Sequence, residues 1–274
     1  MKQSLSVRVL GNLTLAVTII FSILPFVSMF SAAVQPQGSM PHGIQFTAHP
    51  HWENFAAAWK VANITPLLIS SAILVLVVVP VVLICSAMGG YAMGSLHVKG
   101  GWIAYGLLFV GLTLPFEVLV TPLYYEIQSM GLLNTRWALI LPMIGLNMPF
   151  GMVWMQAYFS QMPKDLIEAA SIDGANHFRI FRSIQLPLVV PALSSLGILT
   201  FLATWNQFLL AVVLIDDPTK RTMAGALQSF VGQYSTDVVL LNAGSLLIMA
   251  PTMILFIFLQ RYFIKAMLDG SVKG

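Results

Sequence analysis

The sequence predicts an all-α membrane protein with six membrane-crossing helices and both termini in the cytoplasm. Three observations carry this. Hydrophobic residues make up 58% of the 274-residue chain and charged residues only 8%, against about 25% charged in soluble domains. The apolar residues gather in six runs, at about 9–33, 66–93, 102–122, 137–159, 188–215 and 238–259, each near or above the roughly 20 residues that a helix needs to cross a bilayer. Lys and Arg divide unevenly between the connections. With the N-terminus inside, Lys2, Arg8, Lys99, Lys164, Arg179, Arg182, Arg261, Lys265 and Lys273 fall in inside segments, and Lys60, Arg136, Lys220 and Arg221 in outside ones. An excess of positive charge marks the cytoplasmic side.

Taken in order, the first run has Lys2 and Arg8 ahead of it and Ser31-Ala32-Ala33 behind it, like a signal peptide. Its apolar stretch is longer than the about 7–15 residues of a signal peptide core, so it reads as an uncleaved first span. The outside segment that follows is irregular at Pro36, Gly38, Pro41, Gly43 and Pro50. Residues 52–60 can form a short interfacial helix, with Trp52 where Trp belongs. The second and fifth runs exceed the bilayer, so they tilt, kink or extend past the lipid. Residues 94–101 form a short cytoplasmic turn, and 123–136 and 216–237 face outside.

Polar residues inside spans face the bundle interior or a water-filled path. Glu117, between Pro115 and Pro122, is the acid of the third run, and Asn147 lies between Pro142 and Pro149 in the fourth. Proline frees a backbone carbonyl and permits a bend around a path. For Glu117 an interfacial or paired carboxylate is favoured over a substrate contact. Trp205, Asn206 and Gln207 interrupt the fifth run. Lining a path and bonding to neighbouring helices would both use this inward face.

Several chemistries are missing. Cys85 is the single cysteine, so no disulfide forms within the chain. His42, His49 and His51 share one loop without cysteines or carboxylates at ligand spacing, so no metal is expected. No phosphate-binding G-x-x-x-x-G-K-[ST] loop, H-E-x-x-H or G-x-S-x-G occurs. The chain is therefore expected to be no enzyme and to bind neither ATP nor nucleic acid.

The remaining feature is a polar island at 160–187. Lys164, Asp165, Glu168, Asp173, Arg179 and Arg182 sit here between two apolar runs. Pro163 suits a first helical turn, and Asp165 and Glu168 complement the positive end of a helix dipole. Ala169 and Ala170 favour helix. Gly174 suits the stop, in left-handed geometry.

Glu168-Ala169-Ala170, then Asp173-Gly174-Ala175, then Ile184 and Leu186-Pro187, resemble in order and spacing the "EAA" signature of membrane-spanning subunits of bacterial ABC importers. Glu53-Asn54-Phe55 and Trp205-Asn206-Gln207-Phe208 are similar to stretches of the carbohydrate-uptake branch. Residues 260–265 and Gly270 to Gly274 resemble the C-terminal tail of the maltose permease G-like family, although Leu268-Asp269-Gly270-Ser271 departs from its usual Thr-Ala-Gly. The resemblance covers about 52–274. It implies a type I ABC importer permease in the bacterial inner membrane, working by alternating access. The implied partners are a second permease subunit, a dimeric cytoplasmic ATPase that binds ATP and Mg, and an extracytoplasmic solute-binding protein. It also implies that Glu168, Ala169, Ala170, Asp173 and Gly174 couple to the ATPase, and that Lys265, Gly270, Val272, Lys273 and Gly274 touch it. The solute classes it implies are sugars, oligosaccharides, polyols and glycerol phosphate. A stand-alone secondary transporter or channel, the alternative, would need ion-coupling groups at mid-membrane and leaves the polar island unexplained.

Overall fold

A computed structural model describes residues 5–96, 98–232 and 236–271, with side chains at 8–96, 98–232 and 236–258. The regular structure among the described residues is helical, apart from one isolated bridge between Val231 and Thr236. The helices are α1 (Leu5–Ala33), α2 (Glu53–Val61), α3 (Ile64–Gly94), α4 (Gly101–Thr113), α5 (Phe116–Ser129), α6 (Trp137–Ser160), α7 (Lys164–Ile172), α8 (His177–Ile180), α9 (Leu186–Leu188), α10 (Val190–Trp205), α11 (Leu209–Leu214) and α12 (Val238–Ser271). Apolar stretches of α1, α3, α6 and α12 are long enough to cross a membrane, and the number of spans rises to six if two bent helix pairs each count as one.

Those bent pairs are where the structure departs from straight spans. The third apolar run is two helices, α4 and α5, whose axes differ by 102°. The cause is Pro115, which disfavours helical geometry in the residue before it. Leu114 accordingly stands at φ −71°, ψ 125°, and Pro115 itself at φ −60°, ψ 129°. The fifth run turns by 74° near its start, between 177–188 and α10. It breaks again at Asn206-Gln207-Phe208 before α11 resumes. Helix α12 does not stop at the end of its apolar stretch but continues to Ser271.

The chain divides into two compact units, one running through Thr65 and including Ala226–Pro251, the other Pro66–Gly225 with the chain from Thr252 onward. In the first, the Pro- and Gly-containing segment after α1 is tied down by buried polar groups. Asn54 is fully buried, and its Nδ2 donates to Ala33 O (2.9 Å) and Gln35 O (2.8 Å) while Gln37 Nε2 donates to its Oδ1 (3.0 Å). Ser31 Oγ donates to Gln45 O (2.7 Å) and accepts from Gln45 N–H (2.8 Å). All but the Gln37–Asn54 bond satisfy backbone groups that a helix or sheet would otherwise satisfy. Phe30, Trp52 and Phe55 cluster beside this network. The His51 ring, 2.6 Å from the Glu53 carboxylate, holds that carboxyl below its usual range.

In the second unit, α3, α5, α6 and α11 share a core around Leu74, Val78, Ile127, Leu139, Met143 and Leu214. Helix pairs in lipid are held by close packing rather than by water exclusion, which favours small residues at the contact. Ser86, Gly90 and Gly94, four residues apart on α3, face α6 in this way. A Cβ at Gly90 would lie 2.5 Å from Met155 Cβ and 2.8 Å from Gln156 N. One at Gly94 would lie 2.8 Å from Gln156 O, and one at Gly151 would collide with Ser86 Oγ. The loop after α11 is knotted to the start of α3 and to the α5–α6 connection. Met223 N–H donates to Ser71 Oγ (2.7 Å), Ser70 Oγ to Lys220 O (2.8 Å) and Asp217 N–H to Asn134 Oδ1 (2.9 Å). The Thr219 hydroxyl and N–H, both on Asp217 Oδ1, together with Lys220, hold the Asp217 carboxyl below its usual range.

Candidate functional site

The polar island folds as a helix with a defined stop. Helix α7 has Pro163 as its preceding residue and Asp165 in its first turn, where a negative charge meets the positive end of the dipole. At its end Gly174 has φ +78°. Ala175 N–H donates to Ala170 O (2.9 Å) and Gly174 N–H to Ser171 O (3.1 Å). This pair of bonds around a left-handed residue is the Schellman closure, which satisfies the last carbonyls of a helix. A Cβ at Gly174 would have nothing within 4 Å, so it is the backbone conformation that asks for glycine there. Asn176 then starts α8, its side chain accepting from Arg179 N–H (2.8 Å).

The five residues of the EAA-like segment do not share one environment. Glu168, Ala169, Asp173 and Gly174 are exposed, whereas Ala170 is 7% exposed and packs within the chain. Residues absent from the sequence-based set stand out instead. Leu166, Ile172 (86% exposed) and Phe178 (67% exposed) are large apolar side chains open on the outside of this otherwise polar loop. Their signal in the sequence is weak, because an apolar residue in a polar stretch is as readily turned inward as outward.

The loop is anchored to the ends of α3 and α6. Tyr91 Oη donates to His177 O (3.0 Å), and Ser95 Oγ donates to Gln185 Oε1 (2.9 Å). The rings of Tyr91, Phe159 and Phe181 meet beside these bonds, on a core that includes Met155, Val189 and Leu196.

Of the residues considered for a translocation path, the structure brings two together. Asn147 and Gln207 line one cavity of about 270 Å³, with Phe116, Met143, Leu146 and Ala203. Both side chains are partly engaged: Asn147 Nδ2 donates to Met143 O (2.7 Å), and Gln207 Oε1 accepts from Leu210 N–H (3.3 Å). Glu117, exposed in the first turn of α5, is next in sequence to the lining residue Phe116 but is not itself in the lining. Asn206 is exposed and caps α10, with its Nδ2 on Leu202 O (3.0 Å). Trp205 is 4% exposed and stacks on Phe201. Of the tail residues, the backbone of Lys265 and Gly270 belongs to α12. The side chain of Lys265, and Val272, Lys273 and Gly274 altogether, lie outside the described residues.

Comparison with known proteins gives a consistent result. The family model described as "Binding-protein-dependent transport system inner membrane component" matches residues 86–269. The arabinooligosaccharides transport system permease protein AraQ of Halalkalibacterium halodurans is 33% identical over 258 residues, covering 92% of each chain. The diacetylchitobiose uptake system permease protein NgcG of Streptomyces coelicolor is 32% identical over 232 residues, covering 83% of this chain and 77% of that one. Among solved structures, a bacterial ABC transporter involved in the import of the acidic polysaccharide alginate has a chain that superposes with a TM-score of 0.79 at 19% identity. That match covers 96% of this chain and 99% of the other; at such identity it speaks for the fold.

Proposed function

The chain belongs to the binding-protein-dependent transport system inner membrane component family, as a multi-pass permease subunit of an ABC importer, and from that premise we propose what it carries and how it is driven. Its solute is a sugar or a related compound, such as an oligosaccharide, polyol or glycerol phosphate. The support is that relatives named for arabinooligosaccharides and diacetylchitobiose share 32–33% of its residues over most of its length. It pairs with a second, different permease subunit. A solute-binding protein delivers the solute from outside, and two copies of a cytoplasmic ATPase bind ATP and Mg and supply the work. A stand-alone carrier or channel finds no support in this membership.

The observation that carries the coupling mechanism is α7 itself. It is a short helix closed by a left-handed glycine, exposing Glu168 and Ala169, with Leu166, Ile172 and Phe178 open nearby. Large apolar side chains outside the membrane stay open at a cost that a covering partner removes. The ATPase provides that cover, with a basic group facing Glu168. Nucleotide-driven closure of the ATPases then moves α7 as a rigid body, and the spans switch between inward- and outward-facing arrangements. On the membrane side, Asn147 and Gln207 give one cavity wall hydrogen-bonding groups suited to hydroxylated solutes, and Glu117, Trp205 and Asn206 stand close in sequence to its lining residues Phe116 and Gln207. The tail, with Lys265, Gly270, Val272, Lys273 and Gly274, adds a second ATPase contact.

Glu168→Lys tests the reading. A reversed charge at a desolvated contact is expected to weaken ATPase binding by about 2 kcal/mol or more, roughly 30-fold. The variant permease should insert normally and lose its ATPase on purification. Retention of bound ATPase together with full ATP-driven uptake would show that α7 does not couple.

A further inference from the structure

The coupling loop joins α10 through a segment that is not regular helix. Leu186 N–H donates to Phe181 O, five residues back, so 181–185 is a π turn. Such turns are rare and recur at functional sites. Two prolines follow. Pro187 and Pro191 have no N–H to offer the carbonyls four residues before them. Between them Val189 stands at φ −95°, ψ 4°, its N–H shared between Gln185 O and Leu186 O at 3.2 Å each. The helix axis turns by 74° here. Regular hydrogen bonding, which would make this joint stiff, is thinned at three successive points.

Side chains from the end of α3 compensate. Tyr91 is buried, donates to His177 O and lays its ring 4.9 Å from that of Phe181. Ser95 Oγ reaches Gln185 Oε1. Gln185 is 1% exposed, and its Nε2 is buried without a hydrogen-bond partner among the described residues. A buried amide left short of a partner is costly, and a native structure that keeps one needs a reason for it.

We propose that Tyr91 and Gln185 are positioning residues that latch the π turn to α3, and that this latch opens and closes in the transport cycle. The inference rests on the coupling role of α7 and goes beyond it, to the route by which motion leaves the loop. While the latch is closed, displacement of α7 reaches α3 and α6 through Tyr91, Phe159 and Phe181. The unmatched Gln185 donor makes the closed state short of one hydrogen bond, a deficit that a second arrangement of the turn relieves.

Hydrogen exchange on the complete purified complex in lipid nanodiscs, nucleotide-free and trapped with ATP and vanadate, reads the latch directly. Trapping is expected to speed amide exchange across 181–189 by about five-fold or more, as local opening does. Tyr91→Phe, which keeps the ring and removes the hydroxyl, should show the faster exchange already without nucleotide, with the ATPase still bound. If vanadate traps the complex but exchange at 181–189 does not change, or if Tyr91→Phe behaves as the wild type, the latch is overturned while coupling through α7 stands. If the unmodified complex carries no ATPase and traps no vanadate, the coupling reading falls, and the latch with it.

Discussion

Gly174 has open space where a Cβ would stand, yet few residues of the proposed coupling loop are less free to change. Its φ of +78° costs an L-residue roughly 1–2 kcal/mol, least for Asn, whose side chain suits left-handed geometry. Gly174→Asn is therefore expected to leave the ATPase bound after detergent washing, and Gly174→Val to release it, with no difference in membrane insertion. Equal retention by both variants would mean that the Schellman closure is not needed for docking. The position was legible in the sequence because a helix-forming run followed by a glycine has one common solution. Ala170 was not. Its burial depends on which side of α7 meets the rest of the chain, and no local pattern reports that. The same holds for Trp205, whose polar neighbours point to a path while its own ring packs on Phe201.

Among the elements, the seam between α3 and α6 shows how closely the spans approach. At Gly90 the obstruction includes Met155 Cβ and the Gln156 backbone, neither of which a rotamer change can move. Gly90→Ala should destabilise the detergent-solubilised protein by about 1–3 kcal/mol, the usual cost of overpacking, measured as a lowered Tm. Gly145→Ala, on α6 with nothing within 4 Å, serves as the unobstructed comparison and should leave Tm the same or slightly raised, since alanine favours helix. A similar drop in both would mean that the close approach at Gly90 is not the source of the loss. Helix content and the rough extent of the apolar runs were legible because bilayer thickness sets a length that composition reveals. The bends were only half legible. Pro115, Pro187 and Pro191 mark possible breaks, but Pro80, Pro142 and Pro251 lie within continuous helices. What decides between kink and break is whether neighbouring groups satisfy the freed carbonyls, which is a tertiary property.

At the scale of the molecule, the proposed orientation has both termini inside, since nine of 13 basic residues then face the cytoplasm. Cysteines introduced singly at Gly232 and Ser271 in a Cys85→Ser background should react with an impermeant thiol reagent from opposite sides, Gly232 from outside. Labelling of both from one side would contradict six crossings. The division into two units was not legible, because it joins the start of the chain to Ala226–Pro251 and a single sequence carries no trace of pairing over that distance. The bend at Pro115 has a further consequence, for synthesis. Helix α4, with 13 residues, is about 20 Å long, and α5 is scarcely longer; the hydrocarbon layer is about 30 Å thick. Helix α4 has no buried residue, and the element it leans on is α6, which leaves the ribosome later. Helix α4 therefore gains the packing partner it has in the folded protein only once α6 has been made.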